Sequence, residues 1–289
     1  MQQDNNSVCI GSGKKIKPEL PYKGDNHSIA SANWNNIIMK VAHILAGLIS
    51  VSLAACVSAP MQLPQGDEML AAVQPFSTFV PGSAKQMAWR PFILSHLKRS
   101  TYYQAVIQDG GIVMKAVADS SASGLTQRLN LSLPETPYLT WRWNVSHILK
   151  EADNVHGPDD SPARVVVTFE GDKSRWDFED SAFAERIKEM TGNDIPYATL
   201  MYIWSNRDPQ GTVIANRHTS RIKMVVAESG AEKLGTWVDE KWNLYEDFKR
   251  AFGEEPGKVL SIGIMSDTDN TAQRVTTYYG DIAFTRLAN

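Results

Sequence analysis

Polar and apolar positions alternate along short stretches of the chain, the pattern of strands with one face buried. These stretches are 102–108, 112–118, 125–131, 138–145, 164–169, 200–205, 222–227, 236–242, 259–265 and 275–284. Turn formers such as Asp109-Gly110-Gly111 and Asp208-Pro209-Gln210-Gly211 stand between them. Parallel units would need a helix in most gaps, and helical spacing occupies only two. The pattern therefore predicts a mainly all-β domain, an antiparallel β-sandwich of jelly-roll type with two short peripheral helices. The first helix is expected over 180–191, where Phe183, Ile187 and Met190 form one stripe for burial ahead of Gly192. In the second, Leu244, Phe248, Ala251 and Phe252 repeat the spacing, Asn243 and Glu246 take the N-cap and N3 positions, and Gly253 ends it. The runs 259–265 and 275–284 flank a loop dense in carboxylates and amides and read as a hairpin with a polar rim.

Ahead of this domain the pattern changes. Residues 1–38 are polar without apolar period and read as an upstream disordered segment outside the fold. Residues 39–55 join a short basic start to an apolar stretch and small residues, the three parts of a secretory signal. A transmembrane helix would need ~20 apolar residues, and the run from Val41 to Ala55 falls short of that. Leu53-Ala54-Ala55-Cys56 resembles the bacterial lipobox, whose cysteine becomes the acylated first residue of the mature protein. That resemblance implies translation from Met39 and membrane attachment through the lipid on Cys56, each buried methylene contributing about 0.8 kcal/mol. Val57 and Ser58, with no Asp beside the cysteine, resemble an outer-membrane sorting signal. The expected location is the cell envelope of a Gram-negative bacterium, on the outer membrane facing the periplasm. Residues 56–84, rich in Pro, Gln, Ser and Gly, read as a tether, and 85–289 as a single domain.

The whole chain of 289 residues has a formal charge of −3, with 43% apolar and 21% charged residues, which is ordinary for a globular protein. Removing residues 1–55 takes five Lys and Arg against three Asp and Glu and leaves −5. Nucleic acid wants a basic surface and is excluded as a partner. Cys9 leaves with the same segment, so the only remaining thiol carries lipid and no intrachain disulfide forms.

Alternation over 138–145 places Leu139, Trp141, Trp143 and Val145 on one face and Tyr138, Thr140, Arg142 and Asn144 on the other. The tryptophans share a side with Leu and Val, which points to core packing; an aromatic platform for sugar rings is the alternative. Arg142 on the polar face is a ligand-binding candidate. Asp159 and Asp160 precede Arg164, so Asp160 and Arg164 either fix a loop as an ion pair or meet a ligand. On the last strand Tyr279 and Asp281 share the polar face with Thr277 and complete the candidate ligand set. Asp267-Thr268-Asp269-Asn270 opens as oxygen ligands for hard cations do, without the Gly and Glu of a helix-loop-helix calcium site. Asp267 and Asp269 are the candidate ligands of a structural calcium; an Asx-rich turn is the competing reading. No Walker loop, nucleophile elbow, His-Glu-x-x-His or Cys-x-x-Cys is present.

The series Trp141-Arg142-Trp143, Tyr202-Ile203-Trp204, Gly235-Thr236-Trp237 and Asp267-Thr268-Asp269-Asn270 with Tyr278-Tyr279-Gly280-Asp281-Ile282 resembles a bacterial family catalogued as a domain of unknown function. The resemblance implies a secreted or lipid-anchored single domain and carries over no catalytic residue. The closing Tyr-Gly-Asp-Ile strand also resembles that of jelly-roll modules that bind carbohydrate. The expected function is non-catalytic binding of a glycan or other envelope polymer. An envelope scaffold and a polysaccharide lyase or hydrolase are the alternatives.

Overall fold

The computed structural model describes residues 72–82 and 88–286. The expectations for 1–38, 39–55 and Cys56 lie outside the described residues. The strands run β1 (Arg90–Ile93), β2 (Tyr102–Gln108), β3 (Gly111–Asp119), β4 (Ala122–Leu131), β5 (Tyr138–Val145) and β6 (Ser161–Phe169). Then follow helix α1 (Phe178–Thr191), β7 (Ala198–Ser205), β8 (Val213–Ala215), β9 (Ile222–Ser229) and β10 (Val238–Asn243). Helix α2 (Leu244–Phe252), β11 (Val259–Asp267), β12 (Arg274–Tyr279) and β13 (Ala283–Thr285) complete the order.

These strands form the expected jelly-roll-type sandwich of two sheets. The seven-stranded sheet has the order β1-β4-β11-β6-β7-β9-β8 and the six-stranded sheet the order β10-β5-β12-β3-β2, with β13 pairing β5 beyond the end of β12. Pairing is antiparallel except between β7 and β9. The short strand β8, absent from the periodicity, pairs antiparallel with β9 and occupies the sheet edge, so β9 enters beside β7 in the same direction.

Facing aromatic side chains fill the space between the sheets. Trp141 and Trp143 of β5 are buried, with ring centroids 5.0 Å from Tyr202 and 5.9 Å from Trp204 of β7 respectively. Phe248 of α2 packs on Phe169 at 4.5 Å. Asn243 caps α2 by accepting from the Glu246 N–H, as its sequence requires. Helix α1 departs from expectation: Met190 is 63% exposed, and the one buried residue of the helix is Asp180. Its carboxylate accepts from Thr219 Oγ1, Ser220 N and Ser220 Oγ. Polar bonds at its N-terminal end therefore hold this helix in place of an apolar stripe.

Two further expectations are corrected. The runs around 259–265 and 275–284 do not pair: β11 lies between β4 and β6, whereas β12 lies between β3 and β5 in the other sheet. The acidic loop between them crosses from sheet to sheet. The tether also ends earlier than composition suggests, because Phe76 is fully buried against Trp89 at 4.7 Å and Gln74 N donates to Gln127 Oε1. Two large apolar groups in a polar run were enough to dock residues 72–82 on the sandwich.

Candidate functional site

A groove of about 470 Å³ crosses the outer face of the six-stranded sheet at the level of Arg142. The pleat of β5 buries Leu139, Trp141, Trp143 and Val145 and turns Thr140 and Arg142 outward, as alternation predicts. Register then sets Asp239 of β10 directly opposite Arg142, with Asp239 Oδ1 3.6 Å from Arg142 Nε. On the other side of β5, Gly280 donates its N–H to the Arg142 carbonyl at 2.8 Å.

The guanidinium of Arg142 lies over the Trp237 ring, 4.4 Å from its centroid. Trp237 is held in turn by its Nε1–H, which donates to Asp109 Oδ2 at 2.9 Å. The absence of a side chain at Gly280 makes this arrangement possible, since a Cβ there would stand 2.4 Å from Arg142 Cγ. Asp281, at the far wall, accepts from Ser77 N at 2.8 Å and Ser77 Oγ at 2.6 Å, so the N-terminal segment closes that end. From the sequence, Trp237 and Gly280 entered only as parts of the family resemblance, and Asp239 and Ser77 were not singled out. Alternation along 236–242 puts Trp237 and Asp239 on the outer face, but their meeting with Arg142 depends on strand register.

The other predicted residues gather elsewhere. Tyr279, expected on the ligand face, is fully buried. Its hydroxyl donates to the Met265 carbonyl at 2.8 Å and accepts from Arg164 N, which ties the two sheets together. The face assignment failed because the chain breaks between β12 and β13. Tyr279 and Ile282, three positions apart, both point inward, so no single alternation spans 275–284.

Arg164 and Asp160 are also buried, near the crossover loop. Each Asp160 oxygen accepts two bonds, Oδ1 from Asn270 N and Nδ2 and Oδ2 from Thr271 N and Oγ1. Arg164 Nη2 donates to the Asp159 carbonyl and to Asp267 Oδ2, the latter at 3.2 Å. Asp269 pairs with Lys98 Nζ at 2.6 Å. Burial holds the Asp267 carboxyl well above the usual carboxylate range, against the opposing charge of Arg164. Asp269 is held below that range despite partial desolvation, by its hydrogen bond with Asp267 and by Lys98. Burial thus favours the neutral form of Asp267 more than that of its neighbour Asp269.

Asp160, Asp267 and Asp269 place one oxygen each within 4.8 Å of one another, which is close enough for a cation. Calcium, however, takes six to eight oxygen ligands. Asp160 is already saturated by donors, and Arg164 and Lys98 supply positive charge in the same place. The contacts of Asp160 and Arg164 fix the loop, while Asp267 Oδ1 and Asp269 Oδ1 accept no hydrogen bond among the described residues.

On the inner face of β10, Glu240 is a further buried acid. Its Oε2 accepts from Trp242 Nε1 at 2.8 Å, while Oε1 has no partner among the described residues. Burial, reinforced by the charge of Glu228, pushes its pKa up from 4.5 to about 7. Folding therefore favours its protonated form: the contribution is fully present below pH 4.5 and is lost as pH rises through about 7. At about 1.4 kcal/mol per pKa unit, the loss is on the order of 3 kcal/mol. Glu240→Gln is expected to abolish that part of the decline, read as urea midpoints at pH 5 and pH 8.

Fold and groove together define a β-sandwich with an open cleft of mixed polar and apolar lining on one sheet. The chain belongs to the family described as Protein of unknown function (DUF3047), whose model matches residues 87–283. A search of curated proteins returned no match. Among solved structures, the chain is similar to the glycoside hydrolase domain of Endo-D from Streptococcus pneumoniae R6. That match has 10% identity, covers 68% of this chain and 21% of that one, and has a TM-score of 0.29. For the CBM22-1–GH10 modules of Clostridium thermocellum xylanase 10B the values are 14%, 76%, 29% and 0.33. For the xyloglucanase domain of NopAA from Sinorhizobium fredii they are 8%, 68%, 97% and 0.35. The chain thus spans less than a third of the first two. Likeness at this level carries no argument about what it binds.

Proposed function

We propose that this protein is a lipid-anchored component of the cell envelope whose sandwich binds a carbohydrate or related envelope polymer, without turning it over, in the groove at Arg142. Cys56 supplies the anchor in this reading; among the described residues no helix is long and apolar enough to cross a membrane. The observation that supports it most is the seating of Arg142. Gly280 leaves room for Arg142 and Trp237 lies under its guanidinium, beside an open groove whose walls include carboxylate and hydroxyl groups. Alternating hydroxyls of a sugar can accept from such a guanidinium and donate to such carboxylates. Asp239, with its side chain 81% exposed, and Asp281, engaged by Ser77, are not desolvated, and the one desolvated carboxyl of the lining, Glu240, lies on the inner face of β10 with Oε2 held by Trp242.

Retention on a glycan array and on isolated cell-wall material tests this reading. The double variant Arg142→Ala, Trp237→Ala is expected to lower retention at least tenfold, and Gly280→Ala to act in the same direction by unseating the arginine. Retention indifferent to all three substitutions would overturn the assignment. Release of reducing ends or unsaturated products would replace binding with catalysis.

A further inference from the structure

Resting on the reading of the groove as a glycan site, we infer that it selects neutral sugars and rejects uronates. The charged side chains along its lining are Arg142, Asp239, Glu240 and Asp281, three acids against one cation. Glu240 belongs to the inner face of β10 and leaves two acids on the outer surface. The single cation of that lining already faces Asp239 at 3.6 Å. Lys115 and Lys241 flank the groove on neighbouring rungs, each over a tyrosine, at 5.9 Å from the Tyr278 centroid and 5.0 Å from that of Tyr138.

A uronate in the groove would bring a third carboxylate beside Asp239 and Asp281, with no second guanidinium in the lining to receive it. Two like charges in contact repel, and more strongly near a protein surface than in bulk water. A neutral sugar meets no such cost. Its hydroxyls donate to the carboxylates, whose oxygens retain accepting capacity beyond the two bonds from Ser77, and accept from Arg142. Discrimination arises from the unfavourable contact offered to the acidic ligand as much as from the favourable one offered to the neutral ligand.

The test is calorimetric titration of the full chain with short neutral gluco- and xylo-oligosaccharides and with oligogalacturonides of equal length. Neutral ligands are expected to bind at least tenfold tighter, and Asp239→Asn to narrow that ratio severalfold by strengthening uronate binding. Uronates binding as tightly as neutral sugars, or an Asp239→Asn variant with an unchanged ratio, would overturn the inference and leave the glycan site standing. Absence of binding to either series and to the array would overturn both.

Discussion

Arg164→Ala is expected to destabilise the domain by about 3–5 kcal/mol, the range for removing one partner of a buried ion pair. The guanidinium is 5% exposed and bonds both the Asp159 carbonyl and Asp267, so its loss strands two buried acceptors and opens a cavity beside Met201. Asp267→Asn should behave differently. Because burial disfavours the charged form of Asp267, a neutral amide there keeps the shape and can still accept from Arg164. Its expected cost is under about 1 kcal/mol, near that of a single exchanged hydrogen bond. Equilibrium urea unfolding of both variants checks the pair. An Asp267→Asn variant as unstable as Arg164→Ala would show that the charge of Asp267 is needed.

Trp143→Ala carries the second large effect, a loss of about 3–5 kcal/mol by transfer and cavity terms together. The ring is fully buried and meets Trp141 at 5.3 Å and Trp204 at 5.9 Å. For a domain of this size the melting temperature should fall by ~10 °C, which a circular dichroism melt would record. An exposed sugar platform would give the opposite result, with glycan retention lost and the melt unchanged. That behaviour is expected at Trp237, which is only partly buried on the outer face.

The closing signature Tyr279-Gly280-Asp281 shows how far local pattern reaches. Its three residues act in three different ways, since Tyr279 bolts the sheets together, Gly280 leaves room for Arg142, and Asp281 clasps Ser77. Composition marked the stretch as special, but period-two alternation set Tyr279 on the wrong side. Alternation holds only along an unbroken strand, and the break after Tyr279 resets which residues point inward. The same limit applies to the acidic loop, whose backbone and side-chain donors are met by Asp160, about a hundred residues away along the chain.

What the chain determines locally is most of the longer strands, the buried face of β5, the cap and stop of α2, and the outward position of Arg142. Each follows from side-chain period or terminal hydrogen bonds within a few residues. Tertiary structure alone decided that β11 and β12 lie in different sheets, that Phe76 and Phe79 belong to the core, and that Arg142 and Arg164 occupy separate sites. These depend on register and on which sheet a strand joins. Both are contacts between segments far apart in sequence, and no local repeat encodes them.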